Sequence, residues 1–318
     1  MVLTYTINIV KIFIVSPNID ILITKNLKDK LTAIGCEIIY ISDIKPLLEV
    51  TELYEGTEER ILAIDPDFCN WRVENEVIEK IPNLKAIILQ TDAFDWVDVS
   101  YCKEKEIPVV NLRGSSTEAV AEWALIMALN TARNIPKIVK NGWVQDYNLQ
   151  GVELKDKAAG IIGMGRIGSR IAELVSGIGM NTQYWSRRQS NEEYKYVELG
   201  QLMKTSDVIF LALPLSHETK GMITSEMIDT MRKTAIFVSI VNHGIYDHEY
   251  LLNKTKNEEI FGYAFEEEGG KTFNNYEGNV WAGPALGWCT TESFRKNTEL
   301  WVEATILASK GEFPTKVN

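Results

Sequence analysis

The sequence predicts an α/β protein of two domains built on parallel sheets, and three observations predict it. Short apolar runs alternate with amphipathic helical patterns along 318 residues, the order that produces parallel strands covered by helices. At mid-chain, between Ala158 and Arg188, a strand, a glycine turn, a helix and a second strand follow one another. This unit begins so late that a complete domain of another kind precedes it, and the chain is long enough for two real cores.

Taken in order, Val10 to Ser16 reads as a strand, Ile23 to Ile34 as a helix, Glu37 to Ile41 as a strand and Arg60 to Ala63 as a short third strand. Val73 to Lys80 is helical, Leu84 to Gln90 a strand, Val97 to Lys105 a helix and Pro108 to Leu112 a strand. A long helix runs from about Thr117 to Asn130, with apolar Val120, Ala121, Ala124, Leu125 and Leu129, after Gly114-Ser115-Ser116 as a cap region. Further strands fall at Val208 to Leu213, Ala235 to Val238 and Ile260 to Ala264, and a last helix at Glu292 to Ala308 is expected to fold back onto the first domain. No internal repeat or low-complexity segment is evident.

Ala159-Gly160-Ile161-Ile162 leads into Gly163-Met164-Gly165-Arg166-Ile167-Gly168, and Ile167, Ile171, Leu174 and Val175 mark the helix that follows. A GxGxxG in this strand–turn–helix setting is a dinucleotide site: the first glycine permits the turn, the second admits a pyrophosphate and the third lets the helix lie close on the sheet. The helix N-terminus offers its N–H groups and positive dipole end to the phosphates. At the end of the next strand, a site for NAD places a carboxylate about 20 residues past the glycines. Here the chain reads Trp185-Ser186-Arg187-Arg188. Ser186 can hydrogen-bond a 2′-phosphate and Arg187 and Arg188 can pair with it, so NADP(H) is favoured over NAD(H). The bland alternative is a pair of solvated loop charges.

Composition narrows the partners. With 33 Lys and Arg against 44 Asp and Glu, the net charge of −11 argues against nucleic acid and anionic membrane surfaces. Cys36, Cys69, Cys102 and Cys289 form no CxxC, and three histidines supply no metal cluster, so reduced thiols in a cytoplasmic protein without a metal are expected. The N-terminal MVLTYTINIVKIFIV lacks a basic start and a cleavage site and reads as the first strand, and no segment is apolar enough to span a membrane.

Over nearly its whole length the chain resembles the D-isomer-specific 2-hydroxyacid dehydrogenases. The resemblance rests on Asn83-Leu84-Lys85-Ala86-Ile87, Ile107-Pro108-Val109-Val110-Asn111, Ala119-Val120-Ala121-Glu122, the glycine turn, Leu213-Pro214-Leu215 with Glu218-Thr219-Lys220-Gly221, and Ala235 to Leu251. It implies a Rossmann dinucleotide-binding domain, residues 115–290, inserted in a flavodoxin-like substrate domain formed by residues 1–114 and 291–318. It further implies an active site in the cleft between the domains, Leu213 and Pro214 among the cofactor-binding residues, a small-molecule substrate and a homodimer joined through the cofactor domains.

The family reduces 2-oxo acids by hydride transfer and supplies an Arg for the substrate, a His as proton donor and a Glu that raises the pKa of that His. Aligned on Gly244 and Asp247, the Arg position is Asn242. The segment Gly283-Pro284-Ala285-Leu286-Gly287-Trp288 puts Ala285 at the His position. Counting without gaps puts Lys271 at the Glu position, and Glu268 reaches it with a small deletion. The ordinary family reaction is therefore not expected. The loop that binds the substrate carboxylate in the family reads Gln90-Thr91-Asp92-Ala93-Phe94-Asp95-Trp96 and lacks glycine. Asp92 and Asp95 disfavour an anionic ligand, and Phe94 and Trp96 are candidates to line an aromatic pocket, with Thr91, Ala93 and Trp288 as further substrate residues; a repacked surface without a ligand is the bland reading.

His243, beside the lost Arg, is the first candidate for a replacement proton donor, with Tyr246 and Lys271 behind it. Glu266, Glu267 and Glu268 read as a solvated loop edge, His217 and His248 carry no positional argument, and Trp288 suits core packing. Two functions remain. One is an NADP(H)-dependent oxidoreductase acting on an imine or activated double bond, with a cationic substrate suiting Asp92 and Asp95. The other is a catalytically inactive nucleotide-binding protein that senses cofactor or presents a dimer to a partner.

Overall fold

Strands rich in Ile, Val and Phe, apolar on both faces, set the two parallel sheets of the computed structural model, which describes residues 10–189, 191–267 and 269–318. The chain divides into two units, one ending at Ser115 and completed by Thr291–Asn318, the other Ser116–Thr290.

The first unit opens with β1 (Lys11–Val15), α1 (Ile19–Leu22) and α2 (Lys25–Thr32). The helix expected over 23–34 is α2, which starts at Lys25 because the β-branched pair Ile23-Thr24 leaves the helical region, Thr24 being extended at ψ 162°; the short α1 before it was not expected. Then follow β2 (Glu37–Ile41), β3 (Arg60–Ile64), α3 (Asn75–Lys80), β4 (Leu84–Leu89), α4 (Val99–Glu104) and β5 (Val109–Val110). Val73 forms a parallel bridge with Val97, which delays α3 to Asn75. Pro108 has no N–H for the ladder, and the strand expected over 108–112 shrinks to two residues. The sheet order is β2-β1-β3-β4-β5, all parallel. Alternation sends Phe13, Leu62 and Ile87 into one core and Ile12, Ile61 and Ile88 into the other.

The second unit begins with α5 (Thr117–Ala132), whose small residues Ala121, Ala124 and Ala128 are fully buried against the sheet, and which starts without a side-chain cap from Ser116. It continues with α6 (Ile135–Lys140), β6 (Ala158–Ile162), α7 (Arg166–Gly177), β7 (Asn181–Trp185), β8 (Lys195–Tyr196), α8 (Leu199–Thr205), β9 (Val208–Leu211), α9 (Ser225–Asp229), β10 (Ile236–Ser239), α10 (His248–Lys256), β11 (Gly262–Glu267) and β12 (Val280–Pro284). The order is β12-β11-β10-β9-β6-β7-β8, with every pair parallel. Consecutive connections run to either side of β6, so loops at the carboxyl ends of β6, β7 and β9 share one edge at the switch point.

The last helix, α11 (Thr291–Ser309), returns to the first unit, where Trp301 is buried and donates from Nε1 to the Ile88 carbonyl at 3.2 Å. Among the described residues, no helix is long and apolar enough to cross a membrane and no group of three His, Cys, Asp or Glu side chains could hold a metal. All four cysteines carry free thiols.

Candidate functional site

The glycine turn between β6 and α7 is built as a phosphate cradle requires. Gly163 takes φ 101°, a left-handed conformation, and its N–H donates to the Trp185 carbonyl at 2.8 Å. A Cβ at Gly163 would lie 2.6 Å from the Ala212 carbonyl oxygen and 2.7 Å from Leu213 Cδ2, so the chain leaving β9 crowds the turn. A Cβ at Gly168 would run into the Gly163 carbonyl, while one at Gly165 would meet nothing within 4 Å. Gly165 is also the N-cap of α7 and supplies no side-chain oxygen to its first N–H groups. Tight packing on two sides and an open, uncapped helix start on the third fit a pyrophosphate.

The predicted cofactor residues come together at this edge. Met164, Arg166 and Ile167 complete the turn, Ser186, Arg187 and Arg188 leave the end of β7, and Leu213 and Pro214 follow β9 on the other side. Two of them already have protein partners: the Ser186 hydroxyl donates to the Arg188 carbonyl, and the Arg187 guanidinium pairs with Glu218.

A second concavity, a cavity of about 450 Å³, opens at the carboxyl ends of β10, β11 and β12, and Asn242, His243, Lys271 and Ala285 all line it. Residues up to 43 apart in sequence therefore share one surface. Asn242 caps the 3₁₀ turn His243–Ile245, its Oδ1 accepting the Gly244 N–H at 2.8 Å. The Lys271 ammonium lies 6.0 Å over the Tyr276 ring. Glu268 lies outside the described residues. Glu266 and Glu267, expected as a solvated edge, instead extend β11 and are half-buried in the cavity wall. Glu266 accepts the Gly287 N–H at 2.8 Å; Glu267 accepts the Gly269 N–H at 2.8 Å and the Tyr276 hydroxyl. Burial pushes the Glu267 carboxyl up, but those hydrogen bonds and the charges of Lys271 and His243 outweigh it and hold it below the usual range.

His248, which carried no argument in the sequence, proves central. Its ring stacks on His243, centroids 4.1 Å apart and planes within 9°, and its Nδ1 lies 2.7 Å from the Tyr263 hydroxyl. Burial, then repulsion from His243, pushes it down to about 4. The spacing of two histidines five residues apart, across a turn that follows a buried strand, was the available signal. Tyr246, a candidate donor, is buried, accepts from Tyr263 and is pushed up to about 12 by burial; it does not line the cavity. His217 sits exposed on the loop after β9.

In the first unit, the loop after β4 departs from expectation. The Asp92 carboxylate accepts the Asn111 amide at 3.2 Å and the Gly114 N–H at 3.1 Å, tying its own loop to the segment after β5. Thr91 Oγ1 accepts the Ala93 N–H at 3.2 Å. Trp96 is buried, 7% exposed, edge-on to Trp71, so of the two aromatics only Phe94, 39% exposed, reaches the surface. Trp288 in the second unit is 44% exposed rather than a core residue.

A parallel sheet with a phosphate-binding glycine turn at its switch point defines an NAD(P)-binding protein, and known proteins narrow the class. Residues 123–276 match the family model described as the D-isomer specific 2-hydroxyacid dehydrogenase, NAD binding domain. The chain is 33% identical over 271 residues to glyoxylate reductase of Pyrococcus furiosus, covering 78% of this chain and 80% of the relative. An acyclic imino acid reductase, solved in complex with NADPH and D-Arg, superposes with a TM-score of 0.82 at 23% identity, over 98% of this chain and all of that one. The NAD-complexed D-isomer specific 2-hydroxyacid dehydrogenase of Lactobacillus delbrueckii ssp. bulgaricus gives 0.78 at 22%, over 97% of this chain and all of that one. The protein belongs to the D-isomer-specific 2-hydroxyacid dehydrogenase family, a family of oxidoreductases, and carries its Rossmann NAD(P)-binding domain.

Proposed function

We propose that the protein is an NADP(H)-dependent reductase of a carbon–nitrogen double bond rather than of a simple 2-oxo acid. The observation that carries this reading is the wall of the cavity at β10–β12. Asn242 and Ala285, aligned with the family's Arg and His, both line it, and neither can clamp a carboxylate or give up a proton at neutral pH. Glu249, Glu266 and Glu267 face a single ammonium, Lys271, among the described lining residues, a balance that favours a cationic acceptor. A protonated imine suits such a wall, because its reduction gives a neutral amine and develops no alkoxide that demands a strong acid.

Bound NADPH would supply the hydrogen and electron pair that add to the substrate carbon. The chain's residues have three tasks. Gly165 and the N–H groups of α7 seat the pyrophosphate, with Ser186, Arg187 and Arg188 assigned to the 2′-phosphate. His243 protonates the imine nitrogen and is reprotonated from water, and Glu267 stabilises its charged form. Lys271 is placed to hold an anionic group of the substrate, as an imino acid carries. The fold accommodates such chemistry, since the imino acid reductase shares it. Ile126, Leu129, Trp143, Val144 and Tyr147 are exposed apolar residues of the cofactor-binding unit and support pairing with a second copy; free thiols at all four cysteines support a reducing, cytoplasmic setting.

The test is NADPH oxidation with glyoxylate or pyruvate, each with and without an added amine that converts the oxo acid to its imine. The expected result is oxidation only where the amine is present. Equal rates from the oxo acid alone would overturn the reading. Binding of NADPH without its oxidation by any of these mixtures would leave the alternative, a catalytically inactive nucleotide-binding protein that senses cofactor or presents a dimer to a partner.

A further inference from the structure

Behind His243 and His248, beneath the cavity wall, lies a network of aromatic and hydroxyl side chains that takes no direct part in the reduction. Tyr263, fully buried on β11, donates its hydroxyl hydrogen to the Tyr246 hydroxyl at 2.8 Å. A phenol has one hydrogen to give, so toward His248 the same oxygen accepts. At 2.7 Å, His248 Nδ1 therefore carries a hydrogen, and in the neutral ring Nε2 is the bare nitrogen. The two imidazoles lie face to face at 4.1 Å, and Phe265 meets both edge-on, at 5.3 Å from His243 and 4.6 Å from His248. Two positive charges at that separation repel, so the pair accepts one proton far more readily than two.

We propose that His248 is a positioning residue: locked by Tyr263 as the neutral Nδ1–H form, it stacks on His243, fixes the plane of that ring and leaves His243 as the member that carries the pair's proton. The functional half of this statement rests on the reading of the cavity as a reduction site. The surroundings agree with the assignment. His248 is half-buried against Tyr263 and Phe265 and is pushed down by burial and by His243, whereas Glu267 on β11 interacts favourably with a charge on His243. The other charged groups around the pair are Asp247 and Glu249 on the α10 side, Glu266 on β11, and Lys271 in the loop beyond it; Asp247 and Glu267 favour a charge on His248 and Lys271 opposes one, yet burial prevails.

The experiment is a two-bond ¹H–¹⁵N titration of the full chain labelled at histidine, from pH 8 to pH 5, with His217→Gln to assign the third ring. The expected result is a His248 that stays neutral with hydrogen on Nδ1 throughout, a His243 that titrates alone, and loss of the Nδ1–H signature of His248 in Tyr263→Phe. Protonation of His248 in step with His243, hydrogen on Nε2, or an unchanged tautomer in Tyr263→Phe would each overturn the proposal; the first two are read on the unsubstituted protein and need no variant to fold. In the turnover assay, His248→Ala should lower kcat about tenfold or more with KM little changed, and His248→Phe, which keeps a stacked face, should recover most of it. Equal loss in both variants would overturn the stacking role. A protein that shows the tautomer lock but no turnover would instead sink the reduction reading alone.

Discussion

A side chain on Gly168 would begin inside the van der Waals envelope of the Gly163 carbonyl oxygen, whereas one on Gly165 would stand in open space. Two glycines of one motif thus have different surroundings, one packed and one open, and with the pyrophosphate assigned to the open one their substitutions should separate. Gly168→Ala should destabilise the protein by roughly 1–3 kcal/mol, the usual cost of overpacking, with cofactor affinity falling as a secondary effect. Gly165 has φ −81°, which any residue adopts, so Gly165→Ala should leave the melting temperature nearly unchanged while NADPH affinity drops about tenfold, or about 1.4 kcal/mol. Thermal melts and calorimetric titrations of both variants decide it; a Gly165→Ala protein that binds NADPH normally would remove the pyrophosphate from that site.

Arg187 is engaged by Glu218 from the loop after β9, so a 2′-phosphate has to compete with a carboxylate for the same guanidinium. Replacing Arg187 and Arg188 together by Ala should weaken NADPH binding by one to two orders of magnitude, on the scale of about 1.5–3 kcal/mol for a hydrogen bond to a charged group, and leave NADH within about twofold. Glu218→Gln should do the reverse and tighten NADPH several-fold at low salt. If NADPH and NADH weaken equally in the arginine variant, the phosphate assignment is wrong.

Much of this was legible in the chain because it is local. The glycine turn, the strands flanking it and the long helix at 117–132 are specified by residues adjacent in sequence. β12 was not, since Val280-Trp281-Ala282-Gly283-Pro284 ends in two residues that read as turn, and only pairing with β11 makes it a strand. Glu266 and Glu267 looked like surface charge because nothing local reveals that β11 runs three residues past Ala264. The hydrogen bonds of Asp92 were hidden for a related reason: its partners, Asn111 and Gly114, are supplied by the segment after β5. His248 became meaningful only when the 3₁₀ turn at 243–245 folded its ring onto His243.

Stability should carry an acid-side signature of His248. Its folded value of about 4 lies below the ordinary 6.5, so between these pH values the unfolded chain binds the extra proton. Stability from keeping this ring neutral is therefore fully present above pH 6.5 and is lost as pH falls toward 4. Melting temperatures measured from pH 7 to pH 4.5 should fall more steeply for the natural protein than for His248→Phe, the carboxylates common to both cancelling in the comparison. Parallel slopes would mean that the imidazole titrates normally in the fold.

The most direct probe of the altered site is to rebuild the expected one. Asn242→Arg and Ala285→His place a guanidinium and an imidazole on the wall of the same 450 Å³ cavity. The first change removes the cap that Asn242 provides to Gly244, a loss on the order of 0.5–2 kcal/mol, so the double variant should melt lower than the natural protein. With a cation for the carboxylate and an acid for the alkoxide, it should gain measurable reduction of glyoxylate without an amine, and lose imine reduction as the new positive charge repels the protonated substrate. Steady-state rates with glyoxylate, with and without amine, measure both changes. A folded double variant whose substrate preference is unmoved would show that Asn242 and Ala285 do not face the reacting carbon, and that the chemistry lies elsewhere in the cavity wall.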